Sequence, residues 1–258
     1  MTNSHTNNHP LEVKALSVSY QGKMVLWDIN YTSPSSALIC VVGPNGAGKS
    51  TFIKACLGLV PSNAGYVNFW GQTYSLQCHR VGYVPQREVV DWDFPVSVLD
   101  VVCMGVYRKI GWCRRVRNEH KKMALDALEK VDMAEFSSRH ISQLSGGQQQ
   151  RVFLARALVQ NAELYFMDEP FTGVDAATEQ AIVLVLRELR EKGCTVICVH
   201  HDLSSISKYF DYVVMLNTRL IAAGKTSKVF NNKNLAKTYG GRLTLLDEVS
   251  QEMARVMY

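Results

Sequence analysis

Apolar positions along this chain follow two patterns, short runs of strand length and longer stretches at helical spacing. Leu11–Tyr20 and Met24–Tyr31 alternate apolar with polar residues and meet at Gln21-Gly22, which predicts an antiparallel hairpin. Ala37–Val42 is continuously apolar and runs straight into Gly43, the pattern of a buried strand. The residues after it predict a helix over Lys49–Leu57, stopped by Gly58. Gly65–Trp70 and Arg80–Val84 read as further strands. Ser97–Tyr107 and Asn118–Val131 read as helices, the second carrying an apolar stripe of Met123, Ala124, Ala127, Leu128 and Val131. A helix follows Ser145, then a strand at Glu163–Met167, a helix at Ala176–Glu191, a strand at Thr195–Val199 and a helix at Asp202–Tyr209. Val213–Leu216 and Arg219–Ala222 read as a closing hairpin.

Strands alternating with helices predict an α/β fold with a mainly parallel sheet, preceded by an N-terminal antiparallel β subdomain. The segment from about 86 to 150 is helical throughout and interrupts that alternation, so it is expected to form an inserted helical lobe. Residues 1–10 are polar and expected to be a disordered tail. Residues 11–240 form the domain proper, and 241–258 are expected to be a helical C-terminal tail.

Composition narrows the class further. The chain has 258 residues, 47% apolar and 20% charged, as expected of a globular protein with a sizeable core. The longest wholly apolar runs, such as Ala37–Val42 and Ala181–Leu186, have six residues. A membrane helix needs about 20. If the protein serves transport, another chain makes the pore. No apolar stretch follows a basic start, so a secretory leader is not expected. Seven cysteines lie scattered without a C-x-x-C pair. Cys40, Cys194 and Cys198 sit in apolar runs and are expected to be buried and reduced, as in the cytosol. The net charge of +5 is modest. Its densest part, Arg108–Arg117, holds five basic residues and reads as a solvated face near a membrane partner rather than a nucleic-acid patch.

Three motifs carry chemistry. Gly43-Pro-Asn-Gly-Ala-Gly-Lys49-Ser50 fits G-x-x-x-x-G-K-[ST] and stands between a predicted strand and a predicted helix, the context of a P-loop. Its glycines let successive N–H groups face a polyphosphate, and the helix N-terminus adds partial positive charge. The cradle spans Gly43, Pro44, Asn45, Gly46, Ala47, Gly48, Lys49, Ser50 and Thr51. Lys49 supplies a cation to the β- and γ-phosphates, and the Ser50 hydroxyl is a ligand for Mg²⁺. These residues imply a P-loop nucleotide-hydrolase core that holds a polyphosphate with Mg²⁺. Second, Leu164-Tyr-Phe-Met-Asp168-Glu169 is an apolar strand ending in two carboxylates. Asp168 is expected to hold the Mg²⁺ shell and Glu169 to orient and deprotonate the attacking water. Third, Leu144, Ser145, Gly146, Gly147 and Gln148 open a helix and form a second anion cradle of hydroxyl, glycines and helix N-terminus.

This last motif resembles the signature sequence of ABC transporter ATPases. In that family two ATPase subunits pack head to tail, the signature of one closing over nucleotide held by the other's P-loop. One P-loop and one signature per chain therefore imply a second copy as partner. Position by position, the resemblance assigns Tyr20 to the aromatic that stacks on adenine and Gln86 to the glutamine joining the metal shell to the helical lobe. It assigns Asp175 to the D-loop aspartate and His201 to the switch histidine on the γ-phosphate. Two departures stand out. The D-loop reads Thr172-Gly-Val-Asp175 where Ser-Ala-Leu-Asp is usual, and His200 precedes the switch histidine where threonine is usual. The His200-His201 pair is not read as a metal site, because the strand offers no third ligand.

Arg87-Glu-Val-Val-Asp91-Trp92-Asp93-Phe94-Pro95-Val96, followed by Asp100-Val-Val and Met104-Gly105, looks like the same stretch in ATPases of bacterial manganese, zinc and iron importers. The D-loop, the histidine pair and Thr238-Tyr-Gly-Gly resemble that group as well. The resemblance implies uptake of a divalent transition metal, permease subunits in the membrane and an extracytoplasmic metal-binding protein. It places the chain on the cytoplasmic face of the bacterial inner membrane. ATPases of iron-siderophore or cobalamin importers share the Asp-Val-Val…Met-Gly helix and are the alternative. Trp92 and Phe94 are expected to line a groove for a permease helix, with burial in the core as the alternative. A nucleic-acid-directed ABC ATPase would carry a long coiled-coil insertion between Lys49 and Leu144, and a translation-type one would carry two ATPase units. Neither is present here, so no nucleic-acid partner is expected. A scaffold that binds ATP without hydrolysing it would have no use for Glu169 and His201.

Overall fold

The computed structural model describes residues 9–87, 94–111 and 114–240. Its strands are β1 (Glu12–Tyr20), β2 (Lys23–Thr32), β3 (Leu38–Val42), β4 (Ala64–Asn68), β5 (Val81–Val84), β6 (Leu164–Asp168), β7 (Thr195–Val199), β8 (Tyr212–Asn217) and β9 (Arg219–Lys225). Its helices are α1 (Lys49–Cys56), α2 (Tyr74–Gln77), α3 (Val98–Cys103), α4 (Tyr107–Ile110), α5 (Asn118–Glu129), α6 (Gly146–Leu158), α7 (Ala176–Glu191), α8 (Ile206–Tyr209), α9 (Thr226–Val229) and α10 (Asn232–Tyr239). They divide into two compact units, one made of Met1–Gln77 with Thr195–Tyr258, the other of Cys78–Cys194.

In the first unit β1 pairs antiparallel with β2 and β4, giving the order β2-β1-β4. The ladder is interrupted near Ala15 and Asp28, both at positive φ (48° and 52°), the signature of a bulge. The unit's other strands run β7-β3-β8-β9. β3 is parallel to both β7 and β8, and β9 turns back antiparallel on β8 through Thr218 at φ 57°. Every residue of β3 and β7 is buried, which explains why these strands read as unbroken apolar runs rather than alternating ones. The carbonyl of His9 accepts a hydrogen bond from Trp70 N at 3.0 Å, and Pro10 is buried.

In the second unit β5 lies parallel to β6, Val81 opposite Leu164 and Val84 opposite Met167. Just ahead of the two strands Arg80 forks onto Glu163 at 2.7 and 2.6 Å, and the hydrogen bond from Arg80 draws the Glu163 carboxyl below its ordinary range. Helix α3 packs on both α5 and α6. An isolated twelve-residue helix such as α5 is marginal in water, so the burial of Ala124, Ala127 and Leu128 is what holds it. Met123, placed in the same stripe by spacing, is only half-buried.

Three expected elements differ, and so does the burial of one cysteine. The helix expected over Ser97–Tyr107 is α3, a 3₁₀ turn at Met104–Val106 and then α4. Gly105 lies against the helix α6 backbone, where a Cβ would come within 2.3 Å of the Arg156 carbonyl, so close packing dictates that path. The helix expected from Asp202 begins only at Ile206, because the Asp202 carboxylate accepts from Ser204 N (3.0 Å) and Oγ (2.7 Å) and fixes a turn instead. β6 is shifted one residue from the expected Glu163–Met167, leaving out Glu163 and including Asp168. Cys194 is half-buried rather than buried, while Cys40 and Cys198 are fully buried; all are free thiols. Trp92, Trp112 and the expected C-terminal helix at 241–258 lie outside the described residues.

Candidate active site

The first unit carries the glycine-rich loop expected to cradle phosphate. β3 delivers the chain to Gly43, and α1 begins at Lys49. A Cβ at Gly43 would fall 1.9 Å from the Leu216 carbonyl, and Gly48 has φ 93° with its Cβ position 2.8 Å from the Val25 carbonyl. Only glycine fits either place, so the loop's close wrap is written into those two residues. Lys49 is 7% exposed, and its ammonium donates to the carbonyls of Gly43 (2.8 Å) and Pro44 (3.0 Å). Ala47 N donates to Pro44 O at 3.1 Å, while Asn45 and Gly46 face outward. Ser50 and Thr51, in the first turn of α1, are half-buried. Tyr20, the last residue of β1, is 44% exposed.

The same unit brings His201 to the cradle's edge of the sheet. β7 runs parallel to β3 with Val199 opposite Val41, so His201 leaves the strand where the P-loop leaves its neighbour. His201 is exposed, and the buried His200 ring lies nearly parallel to it at 6.0 Å. His200 Nε2 stands 2.6 Å from Ser205 Oγ, and that hydroxyl donates to the Asp202 carbonyl at 3.1 Å. A hydroxyl has one proton to give, so the imidazole donates in the first bond and carries its proton on Nε2. Burial pushes the His200 imidazole down to about 4, which keeps it uncharged beside His201 at neutral pH. In the sequence His200 stands out only as a departure from the usual threonine. Its place in the turn after His201 depends on Ser205, which no motif singles out.

The second unit holds the carboxylates and the signature. Because β5 and β6 are parallel and in register, Gln86 and the pair Asp168-Glu169 emerge at the same edge. Asp168 is fully buried. Burial and the Asp168 charge push the Tyr83 hydroxyl up to about 12. Glu169 Oε2 accepts from Gln86 Nε2 at 3.3 Å and from Thr172 Oγ1 at 3.2 Å. Its backbone sits at φ 55°, a conformation that side-chain-bearing residues avoid and that clusters where function demands it. Thr172, noted in the sequence as a departure, thus supplies a hydroxyl to Glu169. Asp175 caps α7: its Oδ1 accepts from Thr178 N at 2.7 Å, and that bond draws the carboxyl below its ordinary range.

Ser145 caps α6 in a capping box, its Oγ accepting from Gln148 N (3.3 Å) and its own N donating to Gln148 Oε1 (2.9 Å). Leu144 is buried, and Gly146 and Gly147 are half-buried at the helix start. The S-x-x-Q pattern of the capping box stands in the sequence beside the two glycines of the expected anion cradle. Phe94 is 55% exposed, as is Tyr107, so neither is a core residue. Among the described residues no cluster of three or more His, Cys, Asp or Glu side chains could hold a metal, and no helix is long and apolar enough to cross a membrane.

A glycine-lined cradle on one unit, and a strand-end carboxylate pair with a capped signature helix on the other, define an ABC ATPase. Residues 26–172 match the ABC transporter family model, and the chain belongs to that family. It is 57% identical over 93% of its length to the manganese transport system ATP-binding protein of Bacillus subtilis, covering 96% of that protein. It is 51% identical over 92% of its length to the zinc transport system ATP-binding protein of Treponema pallidum, covering 89%. The fold matches the solved ATP-binding subunit of an ABC transporter with a TM-score of 0.74 at 25% identity, across 95% of this chain and 99% of that one. The chain is therefore a nucleotide-binding ATPase of the ABC transporter class.

Proposed function

We propose that this chain is the ATPase subunit of a bacterial divalent-metal importer, working as two head-to-tail copies on the cytoplasmic face of the inner membrane. The observation that carries the reading is the presence of one P-loop and one signature helix on each chain, beside close likeness to manganese and zinc transport ATPases. Each nucleotide is then held by the P-loop of one copy and closed over by Leu144–Gln148 of the other.

In this reading Tyr20 stacks on adenine, and Gly43–Thr51 wrap the phosphates with Lys49 as the cation. The oxygens of Ser50, Gln86 and Asp168 are hard donors of the kind Mg²⁺ prefers, and they would hold it. When bound, Mg²⁺ neutralises charge building on the β- and γ-phosphate oxygens. Glu169, pinned by Gln86 and Thr172 on one carboxylate oxygen, accepts a proton from the attacking water. His201 contacts the γ-phosphate, and Asp175 belongs to the D-loop facing the second copy. The transported metal passes through the permease, and ATP binding and hydrolysis close and reopen the ATPase pair.

Cargo is tested in vesicles holding the complete transporter and its extracytoplasmic binding protein. Manganese- or zinc-loaded binding protein is expected to stimulate ATP hydrolysis severalfold over the unloaded form. Stimulation by a ferric siderophore or cobalamin, with none by the metals, contradicts the assignment.

Permease contact is assigned to Phe94 and, outside the described residues, to Trp92. Phe94→Ala is expected to change folding stability by no more than about 0.5 kcal/mol, since the residue is more than half exposed. Loss of an aromatic anchor is expected to weaken permease association by about 2 kcal/mol. Thermal unfolding and pull-down of the membrane subunit, run on one preparation, measure both. A large drop in melting temperature with undiminished association excludes the docking role.

A further inference from the structure

We propose that Arg87 is a positioning residue, coupling the catalytic glutamate to the signature helix through Gln149. Gln86 and Arg87 are consecutive, yet their side chains serve two different places in the second unit. Gln86 Nε2 donates to Glu169 Oε2 at 3.3 Å. Arg87 donates from Nε (3.1 Å) and Nη2 (3.0 Å) to the single oxygen Gln149 Oε1. Gln149 lies in the first turns of α6, is 4% exposed, and spends its other end donating Nε2 to the Ile141 carbonyl at 3.2 Å.

The geometry makes this bond hard to replace. Two donors of a planar guanidinium on one acceptor fix orientation as well as distance. A buried amide stripped of its donor keeps an unpaired oxygen, which costs more than an exposed bond would. The guanidinium also lies over the first residue of α6: a Cβ at Gly146 would stand 3.2 Å from Arg87 Cζ and 3.4 Å from Nε and Nη1. A signature glycine is thus used within its own chain, to seat Arg87. Glutamate, glutamine, arginine and signature helix form one connected path, in which a shift of α6 pulls on the residue that holds Glu169. This inference rests on reading Glu169 as the base and the signature as the element that acts on the partner copy's nucleotide.

The test is a double-variant cycle on the full chain, with ATP turnover, KM for ATP and melting temperature measured together. Arg87→Ala and Gln149→Ala are each expected to lower kcat about tenfold, the size of coupling such contacts carry. KM is expected to stay within about twofold, because Arg87 and Gln149 lie outside the phosphate cradle. The combined variant is expected to be no slower than either single one. Arg87→Met keeps the packing of the stem without its donors, and is expected to behave as Arg87→Ala even if the alanine variant folds poorly. Unchanged kcat per folded molecule, or losses that multiply in the combined variant, overturns the coupling. Glu169→Gln on the same day separates the two claims. If it turns over like the wild type, the base assignment itself has failed; if it is inactive while Arg87→Met is fully active, only the coupling has.

Discussion

Glu169→Gln is expected to keep nucleotide bound while hydrolysis falls by at least about a hundredfold. The substitution changes almost nothing except basicity. Glutamine has the same length, its amide oxygen can still accept from Gln86 Nε2 and Thr172 Oγ1, and it suits the backbone at φ 55° no worse than glutamate does. What is lost is a group able to take a proton from water. Phosphate release in the presence of Mg²⁺ measures the rate, and a fluorescent ATP analogue measures affinity on the same sample. A rate within a few-fold of the wild type would assign the base elsewhere.

Lys49→Ala is expected to act at the opposite step, weakening ATP binding by roughly ten- to hundredfold. Lys49 is the only side-chain cation in the cradle of Gly43–Thr51, and charge-assisted bonds are worth about 1.5–3 kcal/mol each. Its ammonium sits within 2.8 and 3.0 Å of the Gly43 and Pro44 carbonyls, so the substitution also removes two of the loop's own ties. The melting temperature of the nucleotide-free variant isolates that second effect. Unchanged affinity for the ATP analogue would take Lys49 out of its role.

The strands were legible because burial on one or both faces leaves a direct mark on residue choice. β3 and β7 are wholly buried and wholly apolar but for Thr195, and α7 spans the residues expected of it, Ala176–Glu191. The breaks were harder. Nothing in the letters of Ser97–Tyr107 says that Gly105 meets the Arg156 carbonyl, an approach made between residues distant in the chain. The turn at Asp202 was in principle readable, since aspartate followed by serines competes with a helix start. Of the site, the cradle glycines could be read from local pattern because backbone geometry there admits no side chain, and the strand-end carboxylates because two acidic residues end an apolar run. The tie from Arg87 to Gln149 could not, because those residues are 62 apart in the chain and neither belongs to the motif core. Thr172 was seen as a departure from family usage, and only its hydrogen bond to Glu169 gives that hydroxyl a purpose.

The central claim is that one copy's P-loop and another copy's signature make one site. Its most direct test is the molar mass of Glu169→Gln in solution by light scattering, with turnover blocked. With Mg²⁺ and ATP the mass is expected to be twice that of one chain, and with ADP that of a single chain. Carrying Ser145→Arg in the same chain is expected to abolish the ATP-dependent pair without weakening ATP binding to the single copy. A single-chain mass with saturating ATP at high protein concentration would contradict the composite site.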